Sequence, residues 1–179
     1  IKVPVKYPEY LTCNPLERYF GRKMLFNGIV LAQAIITALG CMFYVGMQSV
    51  NPLLLILACC ICSLNFMAMN YALVYALDNI GMAIAVIIMV IQVAGSGGSY
   101  PVHVLPEFFQ KLYNFMPFHY GMDMIRETIG GFYGHTYLRC AVILLLMCVG
   151  FAIFGLLVYY PAKPLNRLIA ESKEKSGIM

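Results

Sequence analysis

Charge is what this sequence has least of. Only 11% of its 179 residues are charged, against 61% hydrophobic, and the mean hydropathy is +0.79. A soluble domain carries roughly 25% charged residues. The shortage is also patterned. No Lys, Arg, Asp or Glu occurs between Met24 and Leu77, between Asn79 and Pro106, or between Cys140 and Ala162. A soluble fold still has to wet much of its surface and has nowhere to hide three such stretches. A bilayer takes roughly 20 apolar residues per crossing. The sequence therefore describes an all-α integral membrane protein.

Catalytic signatures are equally scarce. Gly95-Ser96-Gly97-Gly98 is glycine-rich, but no Gly-Lys-Ser/Thr follows, so it is no nucleotide-binding P-loop. There is no Gly-x-Ser-x-Gly elbow and no His-Glu-x-x-His. The spans carry no nucleophile with a base and no carboxylate dyad. The seven cysteines lack a second pair at zinc-site spacing, and His103, His119 and His135 are not spaced as ligands on one helical turn. The expectation is a non-enzyme without cofactor or metal, with the histidines as interfacial polar residues. Cys59, Cys60 and Cys62 read as small apolar residues within a span. Cys41 and Cys140 both fall toward the outer end, where a pairing is open.

Four spans are expected, near 25–46, 51–77, 80–95 and 138–160. The first charge-free stretch is too long for one crossing, and Gln48-Ser49-Val50-Asn51-Pro52 supplies a polar break and a helix start. Asp78-Asn79 is a tight polar hairpin between the second and third spans. Nine of the twelve basic residues flank the first and last spans: Lys2, Lys6, Arg18, Arg22, Lys23, Lys163, Arg167, Lys173 and Lys175. By the positive-inside rule both termini are cytoplasmic, so the net charge of +4 reports orientation and not nucleic-acid binding. Tyr19, Tyr44, Tyr100, Tyr137, Tyr159 and Tyr160 fall near the interfaces. The chain starts at Ile1 with a polar, basic segment, which reads as a piece of a longer protein.

Within the spans, Ala58, Cys62, Asn65, Met69, Ala72 and Ala76 share one face of the second helix. Gln33, Thr37, Gly40 and Tyr44 share one face of the first, and Gln92 and Gly95 close the third. Such stripes form either a polar path for a solute or interhelical glue. Glue is favoured, because amides hydrogen-bond across helices while ionisable groups mark pathways.

The most informative stretch is 94–131, too polar to span and too apolar for an ordinary loop. Gly95, Gly97 and Gly98 break the third helix, and Tyr100-Pro101 is extended. Pro106 starts a short helix with Glu107 in its first turn and an apolar face of Phe108, Phe109, Leu112, Phe115 and Met116. Pro117 interrupts, and a second short helix carries Tyr120, Asp123, Arg126 and Glu127 before Gly130-Gly131 ends it. Asp123 and Arg126 lie one turn apart. This pattern predicts a re-entrant or interfacial hairpin before the last span, with its irregular backbone covered by protein or water.

Four segments then carry a resemblance. Gln92 to Pro101, Leu105-Pro-Glu-Phe-Phe109, Phe115-Met-Pro-Phe-His-Tyr120, and Ile125-Arg-Glu127 with Gly130-Gly131 resemble, in order and spacing, the C-terminal membrane region of the YhgE/Pip (phage infection protein) family. That family is similar to ABC type-2 permeases. The resemblance runs from about Pro15 to Val158. Ser99-Tyr100 stands where the family often has Thr-Phe, and His119 where it often has Thr. Family members resemble a first span, a long extracellular domain and then the remaining spans. This chain lacks the extracellular domain and matches the last four spans.

The resemblance implies a bacterial cytoplasmic-membrane protein with three regions: a cytoplasmic basic segment 1–23, a permease-like domain 24–160 with the outer hairpin 96–131, and a cytoplasmic tail 161–179. It implies action in export, or as a surface receptor or secretion scaffold. The alternative is an exporter permease moving a hydrophobic or amphiphilic substrate with a separate ATPase, working as a dimer. Glu17, Arg18, Tyr19, Arg22 and Lys23 would then form a coupling helix for that ATPase, unless they simply anchor to anionic lipid. The hairpin would be the exit gate, sealed by Phe108, Phe109 and Phe115 and pinned by Arg126 and Glu127.

Overall fold

The computed structural model describes residues 15–98, 102–131 and 134–175, and every regular element among them is helical. In chain order these are α1 (Pro15–Phe43), α2 (Pro52–Gly95), a single 3-10 turn (Val102–Val104), α3 (Glu107–Tyr113), α4 (Pro117–Gly130) and α5 (Thr136–Lys175). Three helices are long and apolar enough to cross a membrane: Tyr19–Phe43, Pro52–Gly95 and Thr136–Tyr159.

The longest of them is not one rod. Asp78 takes φ 49 and ψ −123, outside helical geometry. In a straight helix, Met69 and Gln92 would stand about 34 Å apart at 1.5 Å per residue. Instead the Gln92 side-chain nitrogen lies 3.3 Å from the Met69 sulfur. Met69, Leu73 and Ala85 form one buried cluster with Phe66, Ile84 and Ile88. The two arms, 52–77 and 79–95, therefore run antiparallel. Gly81 is required at the bend, because a Cβ there would collide with the Leu73 carbonyl. The polar hairpin expected at Asp78-Asn79 is this bend.

Helix α5 lies beside the first arm and runs parallel to it. Tyr137 Oη donates to the Leu54 carbonyl at 2.9 Å, Asn65 Nδ2 to the Leu144 carbonyl at 2.5 Å, and Cys148 Sγ sits 3.9 Å from the Leu64 carbonyl. The sequence separations of 83, 79 and 84 stay nearly constant, as parallel packing demands. Small residues let the backbones approach: a Cβ on Gly155 would stand 2.9 Å from Ala72 Cα. The stripe expected on the second helix is this seam, with Ala58, Asn65, Met69, Ala72 and Ala76 buried and Cys62 half-buried.

The first-helix stripe is different. Gln33, Thr37, Gly40 and Tyr44 are all exposed, while Ala34 and Ala38 on the neighbouring face are buried. Thr37 Oγ1 satisfies itself on the Gln33 carbonyl at 2.8 Å. Within one chain alanine allows the closer approach, and the polar face is left outward.

Helix α1 begins at Pro15, so 15–23 continue the first long helix without a break, and α5 runs on through the tail to Lys175. Lys2, Lys6 and Cys13 lie outside the described residues.

Candidate functional site

The hairpin is built against the short second arm. That arm ends at Gly95, where a Cβ would stand 2.9 Å from Phe109 Cδ1 and 3.6 Å from Met116 Sδ, so α3 and the turn after it close directly on the backbone. Ser96 Oγ donates to the Val93 carbonyl at 3.1 Å and accepts from the Gly98 N–H at 3.3 Å, which turns the chain off the helix. Gly97 has φ +69, a conformation that a side chain resists. Tyr100 and Pro101 lie outside the described residues.

Depth follows from helical rise. Gly95 is three residues beyond Gln92, hence level with 65–66 on the first arm. Phe118, at the start of α4, meets Phe66 with ring centroids 5.8 Å apart. At the far end of α4, the Thr128 carbonyl accepts from Val50 N–H at 3.0 Å, just ahead of Pro52. Fourteen helical residues rise about 21 Å, which matches the distance from 66 back to 52 along the first arm. The hairpin thus turns about 20 Å from the Pro52 end of the first arm.

Two polar ties hold it. Arg126 Nη2 donates to the Gly97 carbonyl at 3.2 Å while Nη1 pairs with Asp123 Oδ1 at 3.4 Å. Glu127 is only 9% exposed, and its Oε2 accepts from the Tyr137 N–H at 2.9 Å. A carboxylate there caps the N-terminal end of α5, where the helix dipole favours negative charge. On α3, Gln110 Nε2 donates to the Leu105 carbonyl at 2.8 Å, which closes the turn that follows Pro106. The exposed Lys111–Glu107 pair, 3.8 Å apart, contributes little. Phe109 faces inward onto Gly95, whereas Phe108 and Phe115 are 62% and 76% exposed.

His119 departs from the interfacial role expected of it. It is 4% exposed, with Nδ1 2.8 Å from the Met116 carbonyl and its ring between Tyr113 (4.0 Å) and Tyr120 (3.7 Å). A carbonyl accepts only, so Nδ1 carries the proton. Burial pulls the His119 pKa below its ordinary value. Burial likewise raises the Tyr113 phenol. Tyr120 Oη donates to the Asn114 carbonyl at 3.0 Å and so braces the turn that Pro117 starts. A histidine taken from sequence as peripheral is thus a packed part of the hairpin; the aromatic residues at 113 and 120 were the available signal.

At the other end of the molecule, Tyr19 is fully buried against Tyr71 and Tyr75, and Tyr75 stacks on Tyr159 at 4.6 Å. Tyr71 Oη donates to the Tyr19 carbonyl at 3.1 Å. This aromatic cluster ties α1, the first arm and α5 together. Tyr19 therefore belongs to the core and is withdrawn from any contact surface. Glu17 and Arg22 are exposed, Lys23 is half-buried with Nζ 6.0 Å from the Tyr19 ring centre, and Arg18 lies on the same helical turn.

Among the described residues, no three His, Cys, Asp or Glu side chains are placed to hold a metal. Cys41 and Cys140 are free thiols, as are Cys59, Cys60, Cys62 and Cys148, so the pairing left open above does not form.

Apolar helices joined in this way define a multi-pass membrane protein. Residues 10–129 match the family described as ABC-2 type transporter, and the chain belongs to that family. It is also 28% identical, over 142 residues, to a protein of Bacillus subtilis (strain 168) named "Uncharacterized protein YhgE". That alignment takes in 79% of this chain but 18% of the relative's length. The chain is thus a YhgE/Pip-like membrane region of ABC-2 permease type. No solved structure matches it. Membrane domains of this family usually sit in a bilayer and work with a separate ATPase.

Proposed function

We propose that this chain is the membrane core of a bacterial exporter. It crosses the cytoplasmic membrane four times, with α1, both arms of α2, and α5, and has both ends inside. A separate ATPase drives it, and it works as a pair of chains on a hydrophobic or amphiphilic cargo. The observation that carries this reading is the depth of the hairpin. If the first arm crosses a hydrocarbon core about 30 Å thick, a turn about 20 Å along that arm lies well within the acyl region. The hairpin is then re-entrant from the outer side. Its irregular backbone at Gly95–Gly98 is covered by Phe109, Met116 and Met122, as a bilayer requires.

A plug tied by one exposed guanidinium and one helix cap can be released without unfolding the spans. The driving displacement would enter at Glu17, Arg18, Arg22 and Lys23. Because 15–23 are continuous with the first span, a push there moves the whole helix. The Tyr19–Tyr71–Tyr75–Tyr159 cluster passes it to the first arm and α5. The test is purification of the full-length native protein in gentle detergent. A stoichiometric ATPase that is lost when Glu17, Arg18 and Arg22 are changed together supports the reading. Envelope or secretion components without an ATPase would replace it with the receptor or scaffold role.

A further inference from the structure

Two amides sit on the arms of α2, Asn65 against α5 and Gln92 against the first arm, and each has an end with no partner among the described residues. Asn65 is fully buried and Gln92 is 2% exposed. Asn65 Nδ2 donates to the Leu144 carbonyl, and Gln92 Nε2 reaches only the Met69 sulfur. Asn65 Oδ1 and Gln92 Oε1 are buried with no hydrogen-bonding partner in the protein. Rotating the Gln92 amide by 180° exchanges its oxygen and nitrogen but still leaves one end unpaired. Gln92 reaches Met69, which lies one helical turn from Asn65 on the first arm.

An unpaired buried carbonyl is expensive, and buried polar groups are almost always satisfied. Lipid tails supply no donor at this depth. We infer that Asn65 and Gln92 form a buried binding site for a hydroxyl group, one that donates to one or both amide oxygens. Two sources share that chemistry: an internal water, which normally makes about three hydrogen bonds, or the hydroxyl of an amphiphilic molecule held beneath the hairpin turn. A charged group is disfavoured, since no ionised side chain of the surrounding arms is present to compensate it. The water arm is independent of the export reading; the amphiphile arm deepens it by giving the cargo an alcohol.

The test uses the whole chain in phosphatidylcholine nanodiscs, with thermal unfolding as readout. Gln92→Met keeps length and shape but removes the amide. An empty site predicts that the midpoint rises or stays, because an unsatisfied oxygen has been deleted. An occupied site predicts a fall of a few degrees. It also predicts non-additivity with Asn65→Leu, because either change alone strips a shared ligand. Adding 1-octanol, with octane as control, then separates the sources. A rise in the wild-type midpoint with octanol only, abolished in Gln92→Met, identifies an alcohol site. A destabilised, non-additive Gln92→Met without an octanol response identifies water. An unchanged or raised midpoint in Gln92→Met together with no octanol response overturns the proposal; strictly additive effects exclude a ligand shared by the two amides.

Discussion

Replacing Glu127 with Ala removes a buried hydrogen-bonding side chain that joins the end of α4 to the start of α5. The Tyr137 N–H loses its acceptor at 2.9 Å in a site where both residues are buried. A hydrogen bond to a charged group is worth about 1.5–3 kcal/mol, and a favourable charge at a helix N-terminus adds about 0.3–1 kcal/mol. The expected loss is about 2–4 kcal/mol. For a chain of this size 1 kcal/mol shifts the midpoint by about 2–4 °C, so Glu127→Ala should melt about 4–16 °C lower. Glu127→Gln keeps an acceptor oxygen and should recover about half of that. Thermal unfolding in nanodiscs, with limited proteolysis of the 96–131 region, provides the assay. An Ala variant within a degree of wild type would refute the cap, as would an equal loss in the Gln variant.

Three further outcomes follow from the packing. Gly121→Ala places a Cβ 2.7 Å from Cys62 Sγ. It should destabilise by about 1–3 kcal/mol, and Cys62→Ala should restore most of the loss; an uncoupled double mutant speaks against the contact. Burial puts the folded pKa of His119 below its unfolded one. The unfolded state then binds the proton first, and stability is full above about pH 6.5 and declines as pH falls from there toward the folded value. His119→Phe should flatten that decline in a pH series of melts. The chain has no Trp, so Phe115→Trp gives a single fluorophore on the exposed face of the hairpin. Brominated acyl chains should quench it, and aqueous iodide should not; the reverse would place that face in water.

Much of this was legible in the sequence because charge-free runs, prolines and glycines are strong local signals. The bend at Asp78, the breaks at Gly95–Gly98 and Pro117, and the small-residue seam of the second helix all appear where those signals put them. The first-helix stripe is left outward within one chain. Gln33 and Thr37 share a face in sequence, but only tertiary packing chooses between that face and the one carrying Ala34 and Ala38. Tyr19 was grouped with its basic neighbours by proximity in the chain, although it turns inward onto Tyr71 and Tyr75. In the hairpin, Arg126 and Glu127 were recognisable as polar anchors, but their partners, the Gly97 carbonyl and the Tyr137 N–H, are backbone atoms that no residue type reveals. For His119 the tyrosines at 113 and 120 are the sequence signal, but only the fold shows that they close on its ring across a turn.

The most direct test of the account is topology. Paired alkaline phosphatase and green fluorescent protein reporters, fused after Gln48, Asp78, Gly134 and Met179, read the side reached by each point of the chain. Four crossings with a re-entrant hairpin predict phosphatase activity after Gln48 and Gly134, and fluorescence after Asp78 and Met179. Phosphatase activity after Asp78, on the same side as Gln48, would mean that the two arms of α2 do not both cross, and would contradict the account.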